Sequence, residues 1–230
     1  MSEISWFSFE NKDLDFPIYK NNPHVPKWGW IVLLIAMFFG FILMMGSSIF
    51  KALLSMLVLL IPLLYFLKWD DKAIFQKPKA KDVALAVALF VGYIIYALLM
   101  GVVLENFGLT GGELIDPAET TLMSIPPLFF SLMSEELIKF IPFMFFMRVV
   151  YKYSNNRKLS VILSMFIVMI FFAGLHALDF KMFIFAIFIQ GFGSIFEFIG
   201  YIKTKNILIS YITHLCTDVF IFLLTIGGMA

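Results

Sequence analysis

Charge is scarce in this sequence. Of 230 residues, 14% are Asp, Glu, Lys or Arg and 61% are hydrophobic, and the mean hydropathy is +0.95. A soluble fold must cover its surface with polar groups, and this chain has too few of them. Lipid is the expected solvent for most of it. Cysteine is scarcer still. Cys216 stands alone, which excludes an internal disulfide and any multi-cysteine zinc site. The formal net charge is +1 and no basic block or stripe accompanies it, so no nucleic-acid partner is expected. No internal repeat is visible. Residues 1–28 form an N-terminal segment that mixes Glu3, Glu10, Asp13 and Asp15 with Lys12, Lys20 and Lys27, which no secretory signal does. Its Trp6, Phe7, Phe9, Phe16 and Tyr19 suit a cytoplasmic stretch lying at the membrane interface, and a disordered polar lead-in suits the composition equally.

Long apolar runs are what the chain has in abundance. Runs of roughly 17–25 residues divided by polar breaks predict transmembrane helices, here over 29–47, 50–67, 83–103, 122–150, 160–178, 182–202 and 207–227. The expected fold is all-α: a polytopic helical membrane bundle of about seven spans in a cytoplasmic-type (plasma) membrane, with lipids as partners. Residues 29–121 supply helices one to three and an acidic loop, and 122–230 supply helices four to seven. The positive-inside rule orients the bundle independently of how the spans were drawn. With a cytoplasmic N-terminus, the inner segments hold Lys12, Lys20, Lys27, Lys68, Lys72, Lys77, Lys79, Lys81, Arg148, Lys152, Arg157, Lys158, Lys203 and Lys205, and the outer ones only Lys51 and Lys181. The long outer loop carries Glu105, Glu113, Asp116 and Glu119 and no basic residue.

A few side chains break the apolar pattern: Glu135, Glu136, Lys139, His176, Glu197, His214 and Asp218. A charged group at a helix centre costs about 2.5–3.5 kcal/mol, so the five non-histidine groups would together cost roughly 12–18 kcal/mol if unpaired. Residues kept at such a cost mark a functional site by default. Glu135 and Glu136 lie about 100° apart around a helix and cannot both face one cavity. Lys139 is within reach of either. His214 and Asp218 share a face, as do Phe172 and His176. Counting from the turn near residue 155 puts Glu135 level with His176, and counting from the turn near 205 puts Glu197 level with His214. The two pairs meet only if helices four and five extend beyond the membrane on the cytoplasmic side. Pro126, Pro127 and Pro142 are expected to kink helix four and open space beside Glu135.

A carboxylate facing a histidine can hold and deprotonate a water, and a second histidine with a polar neighbour can stabilise an oxyanion. The same group can instead ligate zinc through Glu135, His176 and His214. The runs SEELIKF at 134–140, FAGLH at 172–176 and THLCTD at 213–218 resemble the three motifs of the CPBP family of intramembrane proteases (CAAX proteases and bacteriocin-processing proteins, also called Abi). The resemblance covers about residues 122–227. It implies a glutamate-dependent endopeptidase acting on a membrane-associated, CAAX-type or other, peptide or protein. Glu135 then matches the general base, His176 the residue that helps hold the water, and His214 with Asp218 the pair that stabilises the oxyanion. Glu136 matches the structural second Glu. The family's Arg falls at Phe140, with Lys139 one step earlier. Glu-Glu-x-x-Lys is similar to the first motif of PrsW-type proteases, whose second motif ends in Glu where this chain has His176. Glu197 has no counterpart in these motifs, Lys139 reads as a counter-charge, and Cys216 as a small apolar filler. A proton or ion pathway through the same buried side chains and a non-catalytic scaffold are the alternatives.

Overall fold

A computed structural model describes residues 25–45, 48–109 and 120–228. The N-terminal segment up to residue 24 and most of the acidic loop lie outside the described residues. The fold is an all-α bundle: α1 (Lys27–Met44), α2 (Ile49–Phe66), α3 (Ala80–Asn106), α4 (Ile125–Ser154), α5 (Arg157–Leu175), α6 (Phe180–Ala186), α7 (Ile195–Thr204) and α8 (Ile207–Ile226). No strand occurs among the described residues. A π-helical turn, Ile187–Gly191, joins α6 to α7, so that Phe180–Thr204 crosses as one interrupted rod.

Six helices are long and apolar enough to cross a membrane: α1, α2, α3, α5, the α6–α7 rod and α8. The sequence suggests about seven. The remaining long helix is α4, which has 30 residues but carries Glu135, Glu136 and Lys139 in its apolar half and Arg148 and Lys152 in the other. Its neighbours explain how those charges are accommodated. α4 packs against α1, α2, α5 and α8, and the stretch from Leu132 to Met144 is buried on every face except at Glu135. A helix buried all round is the centre of a bundle.

The outer helices do the reverse. Phe38, Phe39, Leu98, Leu99 and Val102 are each more than half exposed, and apolar exposure on this scale needs a hydrocarbon solvent. The chain is a membrane protein. Inside, Leu33, Leu59, Leu63, Leu137, Ile141 and Met144 form one core with no accessible surface beyond a trace. Ser55 donates to the Gly40 carbonyl at 2.8 Å, and the missing side chain at Gly40 lets Leu59 seat against α1. Small residues at such contacts let transmembrane helices approach closely.

Helix ends place the site. Asn155, in the left-handed region (φ 48°), and Asn156, whose side chain accepts from Leu159 N, reverse the chain between α4 and α5. Lys205 (φ 55°) and Asn206, whose side chain accepts from Leu208 N, reverse it between α7 and α8. α4 continues from Glu136 to Ser154, roughly 27 Å of helix. From Ser210 back to the start of α8 at Ile207 is only about 5 Å. The α4–α5 turn therefore projects well past the α7–α8 turn, which is the extension the turn counting requires if the two residue pairs are to meet.

Candidate functional site

The intramembrane ionisable residues divide between a closed polar cluster and an open cavity, with His214 belonging to both. In the cluster, Lys139 on α4 pairs with Glu136 one turn before it and with Glu197 on α7. Ser210 on α8 donates its hydroxyl to Glu136, and His214 Nδ1–H donates to the same carboxylate at 2.8 Å. Lys139 Nζ lies 3.5 Å from that Nδ1, and Glu197 Oε1 lies 3.9 Å from it. Relative exposures of 2% for Lys139, 3% for Glu136 and 6% for Glu197 mean that these charges must satisfy one another, because water cannot.

With Nδ1–H held by Glu136, the other ring nitrogen of His214 is turned the opposite way. Nε2 lies 3.7 Å from Asp218 Oδ1 and 3.9 Å from Glu135 Oε2. Such a bond sets the tautomer and orientation of a histidine. His176, at the C-cap of α5, is fixed in a similar way: its Nδ1–H donates to the Phe172 carbonyl at 2.9 Å. The Phe172 ring touches a member of the cavity and a member of the cluster. It meets the His176 ring edge-on at 4.5 Å between centroids, and Lys139 Nζ stands 4.7 Å from its centre, a cation–π distance.

Glu135, His176, His214 and Asp218 all line one cavity of about 850 Å³, together with Glu197, Phe172, Tyr93 and Gln190. Glu135 and Glu136, adjacent in sequence, thus serve different spaces, the first the cavity and the second the cluster. The π turn is what brings Gln190 to the cavity wall, and such turns often mark functional positions. Gln190 Oε1 is buried and has no hydrogen-bond partner among the described residues. Tyr96 helps anchor this segment by donating to the Phe188 carbonyl at 2.6 Å.

Two members of the site escape the motif reading. Glu197 is the counter-charge of Lys139, and its level with His214 follows from the α7–α8 turn. Ser210 is the second. Its signal is a stripe on α8, where Asn206, Ser210, His214 and Asp218 recur every four residues along one face.

Glu136, Glu197 and His214 could hold a metal ion, with Lys139 as a competing cation. Among the described residues, the group whose ligand atoms lie within 4.8 Å of one another is Glu136, Glu197 and His214, not Glu135, His176 and His214. Lys139 already occupies the cationic position of that group, in contact with both carboxylates. An ion there would face a buried ammonium at close range. No family model, curated protein or solved structure matches the chain.

Proposed function

We propose that the protein is an intramembrane endopeptidase of the glutamate-dependent kind, acting on a membrane-associated peptide or protein in a plasma-type membrane. The observation that carries this reading is the sharing of one water-sized-and-larger cavity by Glu135, His176, His214 and Asp218. The likeness of SEELIKF, FAGLH and THLCTD to the CPBP motifs supports it. At about 850 Å³ the cavity falls in the range of about 300–1,000 Å³ typical of ligand pockets.

In this reading a water sits between Glu135 and His176. Glu135 takes its proton as the water oxygen bonds to the scissile carbonyl carbon. The carbonyl oxygen becomes an oxyanion, which the protonated His214 meets through Nε2–H, with Asp218 holding that ring edge in place. Glu135 then returns the proton to the leaving nitrogen as the C–N bond breaks. An ion pathway, the transport alternative, would have to continue past the cluster through a space of only about 10 Å³, where Phe143 packs tilted against Phe198 and edge-on against Tyr201 with at most 4% exposure. That packing favours the protease.

Purified protein in detergent, incubated with a mixture of soluble random-sequence peptides and followed by mass spectrometry, tests the proposal. Cleavage that disappears in Glu135→Gln supports it. Equal product from the wild type and Glu135→Gln sinks it.

A further inference from the structure

We propose that the cavity takes its ligand from the extracytoplasmic side of the membrane, so that the substrate is a membrane-associated polypeptide whose cleaved stretch lies on that side, not a cytosolic C-terminal tail. The identification of the ligand as a polypeptide rests on the protease reading. The sidedness does not.

The cavity runs from the site toward one end of the bundle only. Beyond Glu135 its wall continues backward along α4 through Ser131 and Leu128, and beyond Asp218 it continues forward along α8 to Ile221. Both directions lead to the end where α1 turns into α2, where α4 begins and where α8 finishes. Met44, the last residue of α1, and Ala52 in the first turn of α2 line the cavity at that same end. Thr121 and Met123, just before α4, also line it and are exposed, Met123 to 83%. They mark the mouth.

The other end is sealed apart from a water-sized space of about 10 Å³ between the cluster and Phe140, Phe198, Tyr201 and Ile207. Below the polar cluster, Phe140 and Phe143 on α4 stack edge-on against Tyr201 on α7. Further down, Ile207 N donates to the Ile74 carbonyl at 2.9 Å, and the Asn206 side chain makes two hydrogen bonds to the Gln76 backbone, at 3.2 and 2.7 Å. These pin the α2–α3 connection under the α7–α8 turn.

Charge separates the two ends. The sealed end carries the basic residues of the α2–α3 connection, the α4–α5 turn and the α7–α8 turn, whereas the mouth end has Lys51 and Lys181. By the positive-inside rule the sealed end faces the cytoplasm, and the mouth faces away from it. Glu135 lies ten residues into α4 from Ile125, about 15 Å of helix. An extended stretch of about five residues spans that distance, so a polypeptide reaches the site from the mouth without crossing the bilayer.

The test uses the whole chain in vesicles from expressing cells, prepared right-side-out and inverted, with a membrane-impermeant maleimide as probe. Ser131→Cys and Ile221→Cys, each in a Cys216→Ser background, report the cavity wall, Thr121→Cys the mouth, and Lys158→Cys the basic end. The expected result is labelling of the first three at least tenfold faster in right-side-out vesicles, and of Lys158→Cys in inverted ones. The inference is overturned if the cavity positions react from the inverted side, if Lys158→Cys reacts from the right-side-out side, or if folded, monodisperse cavity variants react from neither. The peptide mixture, added to the same vesicles, should yield products from the right-side-out preparation. Products from the inverted preparation alone overturn the sidedness while leaving a protease. Failure of the detergent-solubilised protein to cleave removes the protease reading, and the labelling then decides the side alone.

Discussion

Replacing Lys139 by methionine isolates the energetics of the buried cluster. Lys139 touches Glu136 and Glu197, and all three are at most 6% exposed. Methionine keeps most of the side-chain volume and removes the cation. Glu136 retains Ser210 and His214 as partners, but Glu197 loses the ammonium it contacts and faces a second carboxylate across the cluster. Removing one partner of a buried ion pair costs about 3–5 kcal/mol, most of it from the charge left behind. Neutralising that charge should recover much of the loss, so Lys139→Met/Glu197→Gln should be more stable than Lys139→Met. The coupling energy should fall between about 0.5 and 3 kcal/mol. Reversible unfolding in mixed micelles with increasing SDS measures all four corners of the cycle, independently of any activity. A cost below about 0.5 kcal/mol for Lys139→Met, or a double variant whose losses simply add, would refute the view that this pair ties α4 to α7.

In the peptide-cleavage assay, Glu135→Gln should lower turnover by about 10² or more, with His176→Ala close behind, and His214→Ala should cost about 10²–10³. Asp218→Asn should be milder, and the first three losses should be far from additive because they act on one intermediate. Gly191→Ala should destabilise by about 1–3 kcal/mol in the SDS titration, since its Cβ would stand 2.8 Å from the Met169 carbonyl and 3.2 Å from Ala173. A stabilising effect, which Gly-to-Ala exchange in a helix normally gives, would contradict that close approach. Purified wild-type protein should carry no stoichiometric zinc by elemental analysis. One zinc per chain, lost in Glu136→Gln, would place an ion where Lys139 is argued to stand.

Helix positions are legible in this sequence because lipid allows few alternatives. Each apolar run must satisfy its own backbone, and a helix is the only way a single segment can. The run from 50 to 67 is offset from α2 by one residue, and the run from 207 to 227 starts with α8 and ends one residue after it. The interruption between α6 and α7 is hidden for a related reason. A π turn adds one residue to the rod without changing its composition, so an apolar window cannot detect it. Gly191 and Gly193 hint at close packing, yet they do not say that Gln190 reaches the cavity wall.

Depth along a helix is also legible, and direction around it is less so. A rise of 1.5 Å per residue is enough to put Glu197 level with His214 from the turn at Lys205. The choice made by Lys139 is different. It stands four residues after Glu135 and three after Glu136, both of which are neighbouring positions on a helix surface, and spacing alone does not choose between them. Neighbouring helices do. α7 presents Glu197 and α8 presents Ser210 and His214 on the side of Glu136, so the ammonium finds two buried carboxylates there in direct contact. Once Lys139 is drawn to that side, Glu135 keeps no basic side chain of its own helix and faces the cavity with His214 Nε2 at 3.9 Å. The carboxylate left without a lysine is the one that lines the cavity, which suits a group that must accept a proton from water.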